Sequence, residues 1–201
     1  LVRSYLRTAT GRHRKDGYDF CDTTHCQFFT DFALGDDRFR QATTSTRGLV
    51  LTFLGNSFQP LYTAACGGRT LAGFAGGTGE QQGSDYPYRS VACNFCVGHP
   101  LYEWETIVEE EKLLRALREE SLKDPAQVIA SLAETGEAGE LGALKQATRI
   151  CVGRALGWNV IRSNRYLLEL HSDSVKIRGH GSGHNFGLCQ AGAIEMSRQG
   201  K

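Results

Sequence analysis

An α+β fold with a β-rich core is the class this sequence predicts, and three observations predict it. The 24 glycines of the 201 residues fall in short runs, which suits a chain of tight turns between strands. Runs of β-forming residues, such as Leu49-Val-Leu-Thr-Phe-Leu54 and Tyr166-Leu-Leu-Glu-Leu170, recur along both ends of the chain. Between them, residues 103–157 are charged and leucine-containing at helical spacing. The organisation expected is a core made of residues 1–102 and 158–201, with residues 103–157 as a helical insertion.

Taken in order, Leu1, Tyr5 and Thr8 form the stripe of a helix packing on a core. The chain opens without Met and reads as the last turns of a helix already under way, so a fragment is expected. Gly11 to Gly17 is a polar turn. Residues 39–65 read as strands, with Gly55-Asn56 as a hairpin turn between residues 47–54 and 57–65. Residues 73–85 are a Gly/Gln/Ser-rich loop. Glu105 to Ser121 reads as a helix with a solvated acidic face, Pro125 to Ala133 as a short helix with Pro in its first turn, and Glu140 to Leu156 as a third. Residues 160–164, 166–170 and 174–179 read as strands, and helical spacing resumes at Gln190.

Net charge is +1, which offers no basis for nucleic-acid binding. No apolar run approaches the roughly 20 residues of a membrane span, so no transmembrane segment is expected in this chain. Seven cysteines is an odd number, so at least one is free, metal-bound or paired with another chain.

The chemistry-bearing stretches are few. Cys21-Asp-Thr-Thr-His-Cys26 puts two thiols and an imidazole within six residues, and His13 lies just upstream. His13, Cys21, His25 and Cys26 would complete a tetrahedral shell suited to Zn²⁺; a Cys21–Cys26 disulfide or two unrelated buried thiols are the alternatives. Cys66-Gly67-Gly68 lets backbone approach a ligand or another strand, or is a tight turn with a buried thiol. Cys93-Asn-Phe-Cys96 can be a redox pair, a disulfide or half of a metal site. With no second CxxC, a structural role is preferred: a disulfide in an exported protein, or two further metal ligands. His180-Gly-Ser-Gly-His184 carries two histidines on a glycine loop, as metal sites and sugar-binding loops do.

Four ordered stretches resemble the stage II sporulation protein D (SpoIID) family, which includes the amidase enhancer of the LytB type. They are Cys21–Gln27, Ala64–Thr70, Pro87–Val91 and Gly181–Ala193; the resemblance covers nearly the whole chain, with residues 103–157 the least matched part. It implies a peptidoglycan lytic transglycosylase that cleaves MurNAc–GlcNAc glycan strands to 1,6-anhydro ends. It also implies a structural zinc ion held by His13, Cys21, His25 and Cys26, and an extracytoplasmic location. His180, His184 and Gln190 would line the glycan groove, Cys66 would border it and Tyr88 would stack on a sugar. The expected partners are peptidoglycan glycan strands and other cell-wall hydrolases.

The reaction needs one carboxylic acid, which protonates the leaving oxygen and then takes the proton of the C6 hydroxyl that attacks C1. The resemblance places this glutamate ahead of the segment matching Val2–Tyr5, just upstream of Leu1, and no glutamate of the chain fits its motif. A non-catalytic peptidoglycan-binding or amidase-enhancer module is therefore the alternative. A zinc hydrolase built on His180 and His184 is the weakest reading, because no metalloprotease spacing accompanies them.

Overall fold

The computed structural model describes residues 1–22, 26, 37–72, 89–119, 124–134 and 142–201. It has mixed α+β content in two compact units, Leu1–Leu61 and Tyr62–Lys201.

In the first unit, helix α1 (Val2–Ala9) buries Ser4, Tyr5 and Ala9, so the expected stripe is centred on Tyr5 while Leu1 faces solvent. The hydroxyl of Ser4 accepts the Leu51 amide at 2.7 Å, and Arg3 donates to the carbonyls of Thr43 (2.5 Å) and Thr46 (2.6 Å). Those two carbonyls lie at the end of helix α2 (Asp37–Ser45), so a cation on α1 caps the C-terminus of α2. The strand expected from residue 39 is thus a helix as far as Ser45. Just past its end, Thr46 turns its hydroxyl back onto the Ala42 carbonyl at 2.7 Å, the local bond by which a β-branched residue closes a helix instead of extending the chain.

The hairpin exists but is shorter than expected: β1 (Thr52–Phe53) pairs with β2 (Asn56–Ser57), Thr52 opposite Ser57. Its turn is Leu54-Gly55, both at positive φ (50° and 80°), one residue earlier than the Gly55-Asn56 expected. The return strand stops at Ser57. Pro60 cannot donate to a ladder, and Tyr62–Thr63 pairs elsewhere.

In the second unit, β4 (Glu103–Glu109), β6 (Ser174–His180) and β5 (Tyr166–Leu170) form an antiparallel sheet with β6 in the middle. Glu103–Glu109 is therefore a strand where helical spacing was expected from Glu105. Trp104, Thr106 and Val108 alternate inward while Ile107 between them is 66% exposed, the period of two that a strand imposes in place of the helical spacing expected. Helices α3 (Glu110–Glu119), α4 (Pro125–Glu134) and α5 (Gly142–Leu156) follow. Asp124 opens α4 by accepting the Gln127 amide at 3.2 Å, with Pro125 in the first turn where its missing N–H costs nothing.

The core joins Leu113, Leu117, Ile129, Leu132 and Val152 from the helices to Trp104, Tyr166, Leu168, Val175 and Ile177 from the sheet. Residues 103–157 thus contribute a sheet strand and the helical layer of the same core as residues 160–180. Residues 160–164 make no strand; Ile161, Ser163 and Asn164 are buried in a loop bridged to Gly183. Two further short strands, β3 (Tyr62–Thr63) and β7 (Leu188–Cys189), pair in parallel, and α6 (Gln190–Arg198) follows as expected. No helix among the described residues is long and apolar enough to cross a membrane.

Candidate functional site

The Cys66-Gly67-Gly68 turn and the His180–Asn185 loop are built against each other. Gly67 and Gly181 both have positive φ (65° and 80°). A Cβ on Gly67 would lie 2.4 Å from the Gly181 nitrogen, and one on Gly181 would lie 2.4 Å from the Ala65 carbonyl. Both positions require glycine for close backbone approach, and Cys66 is buried, so the two readings left open for the Cys-Gly-Gly stretch hold together. The strand opposite also supports the loop: the indole N–H of Trp104 donates to the Gly181 carbonyl at 2.8 Å.

Two side chains fasten the crossing. Asn185 is wholly buried at φ 63°; its amide donates to the carbonyls of Cys66 and His180 (both 3.2 Å), and its oxygen accepts the Asn164 amide at 2.9 Å. Arg165 donates through Nη1 to the carbonyls of Cys66 (3.3 Å), Gly67 (2.9 Å) and Arg69 (3.2 Å). Sequence reasoning singled out neither. Asn185 follows His184 directly and tolerates a left-handed backbone, which is the one signal it offered.

The predicted site residues fall as follows. His180 ends β6, partly exposed, with Nδ1 3.9 Å from the Glu103 carboxylate. His184 is half-buried, and its Nδ1 accepts the Phe186 amide at 3.0 Å, which fixes the neutral tautomer with the proton on Nε2. Burial, with the Arg149 cation as a smaller contribution, pushes the His184 pKa down to about 4. Gln190 is exposed at the first position of α6. Cys66 is fully buried, and its thiol meets other thiols. Tyr88 lies outside the described residues.

Those thiols are Cys93, Cys96 and Cys189. With Cys66 they bring four sulfurs within 4.8 Å of one another, and Cys66 and Cys96 are 3.6 Å apart. Cys189 is the N-cap of α6; it accepts the amides of Gly192 and Cys66, each at 3.3 Å. The Cys66 hydrogen bond, together with these amides, lowers the Cys189 pKa to about 5, whereas the same partnership and burial push Cys66 up. The sequence had grouped Cys66 with the loop and Cys93–Cys96 as a separate pair.

In the first unit, His13, Cys21 and Cys26 bring their ligand atoms within 4.8 Å of one another, three of the four residues predicted to hold zinc. His25, the fourth, lies outside the described residues. The 3₁₀ turn Arg14–Asp16, closed by Gly17 at φ 86°, returns Asp16 to accept from His13 Nδ1 at 2.9 Å. A carboxylate on Nδ1 orients the ring for an ion at Nε2, the usual arrangement behind a metal-bound histidine. Asp16, first, and Cys21 raise the His13 pKa, and Tyr18 stacks on the ring at 4.7 Å. Two thiols and an oriented imidazole are three of the four donors of a tetrahedral zinc site, and their chemistry fits such an ion.

Fold and sites define an α+β protein with thiol-rich, metal-competent loops. Residues 1–53 match the model of the SpoIID family, stage II sporulation protein. The match runs from α1 through Cys21–Cys26 to β1 and covers about a quarter of the chain; for that segment it points to a cell-wall-related function. No curated protein matches the chain.

Proposed function

We propose that this chain is the glycan-engaging part of a peptidoglycan lytic transglycosylase acting outside the cytoplasmic membrane. The observation that carries the reading is the coincidence of the SpoIID match over residues 1–53 with the convergence of His13, Cys21 and Cys26 inside it. His13, Cys21, His25 and Cys26 hold Zn²⁺, which supplies a structural cross-link and no catalytic chemistry. Asp16 holds the His13 imidazole by its Nδ1.

In the second unit, the loop fastened by Asn185 and Arg165 carries the sugar contacts. His184, neutral with its proton on Nε2, donates to a sugar hydroxyl or N-acetyl oxygen; His180 and Gln190 contact the glycan from the loop's two ends. The proton donor for bond cleavage is a glutamate preceding the segment that Val2–Tyr5 represents. The alternative reading is a peptidoglycan-binding or amidase-enhancing module that engages the same glycan without cleaving it.

Digestion of purified glycan strands by the full-length protein separates the two. Fragments with 1,6-anhydro ends are expected. Co-sedimentation with peptidoglycan without cleavage establishes the binding module, reducing ends establish a hydrolase, and neither binding nor cleavage rejects both readings.

A further inference from the structure

We propose that Cys66, Cys93, Cys96 and Cys189 form a second metal site, a closed tetrathiolate that binds one zinc ion. It lies wholly in the second unit and does not depend on any glycan chemistry.

The geometry argues for a single ion. With zinc–sulfur bonds of about 2.3 Å, the edge of a regular tetrahedron of sulfurs is about 3.8 Å. Cys66 and Cys96 are already at 3.6 Å, and no pair in the cluster exceeds 4.8 Å. An iron–sulfur cluster needs its thiolates spread around several metal atoms, and these four sulfurs lie too close together for one. Four sulfur donors with no carboxylate or imidazole select a soft tetrahedral ion, and with four protein ligands no position is left for water or substrate.

The surroundings suit thiolates. Two backbone amides point at the Cys189 sulfur, and that sulfur caps the N-terminus of the nine-residue helix α6, where negative charge is favoured. The Arg165 guanidinium donates to the Cys66 carbonyl at 3.3 Å and the Gly67 carbonyl at 2.9 Å, which holds the backbone that carries the Cys66 thiol. Gly192 keeps the helix clear of the sulfurs: a Cβ there would sit 2.8 Å from Cys93 Sγ and 3.3 Å from Cys189 Sγ. Cys66, Cys96 and Cys189 are buried, so the ion is shielded from solvent on most sides. Binding releases the thiol protons to solvent.

The three segments supplying ligands are the Cys66-Gly67-Gly68 turn, the 93–96 loop and the start of α6. The ion would tie both flanks of the His180–Asn185 loop, since Asn185 bonds the Cys66 carbonyl and Cys189 follows four residues after it.

The test is zinc content by elemental analysis of tag-free protein carrying Cys21→Ser and Cys26→Ser, which removes two thiols of the other cluster. About one equivalent is expected, falling to background when Cys93→Ser is added. Cobalt loaded into the first variant is expected to give intense sulfur-to-metal charge-transfer bands and tetrahedral ligand-field bands. Folded protein without metal, with iron in place of zinc, or with any two of the four cysteines joined in a disulfide by peptide mapping overturns the proposal. Should the variants not fold, the wild-type protein is alkylated with and without a zinc chelator. Chelator-dependent labelling of all four cysteines supports the site, and labelling indifferent to chelator overturns it.

Discussion

His184 ties its protonation to the fold. Its pKa is depressed to about 4 because the ring is buried, with Arg149 a further cation nearby, and its Nδ1 must stay unprotonated to accept the Phe186 amide. Unfolded, the same histidine titrates near 6.5, so between these values the unfolded chain binds the extra proton and stability rises with pH. The contribution is complete above about pH 6.5 and is lost as pH falls toward 4, by up to about 3 kcal/mol. Urea denaturation across that window checks this. His184→Asn should flatten the pH dependence relative to wild type, and parallel curves for the two proteins would remove His184 as its source. Asn185 is equally decisive without titrating: one amide side chain satisfies groups on three segments, and none of its partners is near it in the sequence except His180.

At the scale of an element, β6 governs the loop that follows it. Gly179 stands opposite Trp104 on β4 and Tyr166 on β5, and the indole occupies the space its missing side chain leaves. A Cβ at Gly179 would lie 2.2 Å from Trp104 and 2.7 Å from the Arg165 carbonyl, a backbone atom that cannot swing aside. Gly179→Ala is therefore expected to cost about 1–3 kcal/mol. It should also shift tryptophan fluorescence, because Trp104 moves away from the Gly181 carbonyl it holds at 2.8 Å. Unchanged stability and emission would show that the sheet yields at this point. The outer face of the same strands carries Glu105 between Lys176 (2.9 Å) and Arg178 (3.2 Å), solvent-exposed pairs that keep the carboxyl below its usual range and add little stability at neutral pH.

For the whole molecule, the central question is whether residues 103–157 fold with the rest of the second unit. Leu132 on α4 is fully buried in the cluster that contains Ile161, Tyr166 and Ile177, and α4 packs on β5. Leu132→Ala should cost about 2–5 kcal/mol. The loss should appear at one midpoint in far-ultraviolet dichroism and in the fluorescence of Trp104, since helices and sheet share that core. A helical transition separating from the fluorescence change would mean the helices form a layer that melts by itself.

Much of the local structure was legible from residue order alone. The first helix, the Gly11–Gly17 turn, Pro125 at the head of α4, and β5 and β6 follow from periodicity, caps and turn residues, because neighbours in sequence create those signals. The grouping of His13, Cys21 and Cys26 was legible for the same reason, since they lie within fourteen positions of one another. Tertiary contacts decided the rest. The strand Glu103–Glu109 exists because its partner is β6, some seventy residues away, and α2 ends where Arg3 meets its carbonyls. Cys66 joins Cys93, Cys96 and Cys189 only once two glycine turns have met, and no spacing along the chain encodes a meeting between residues 123 positions apart.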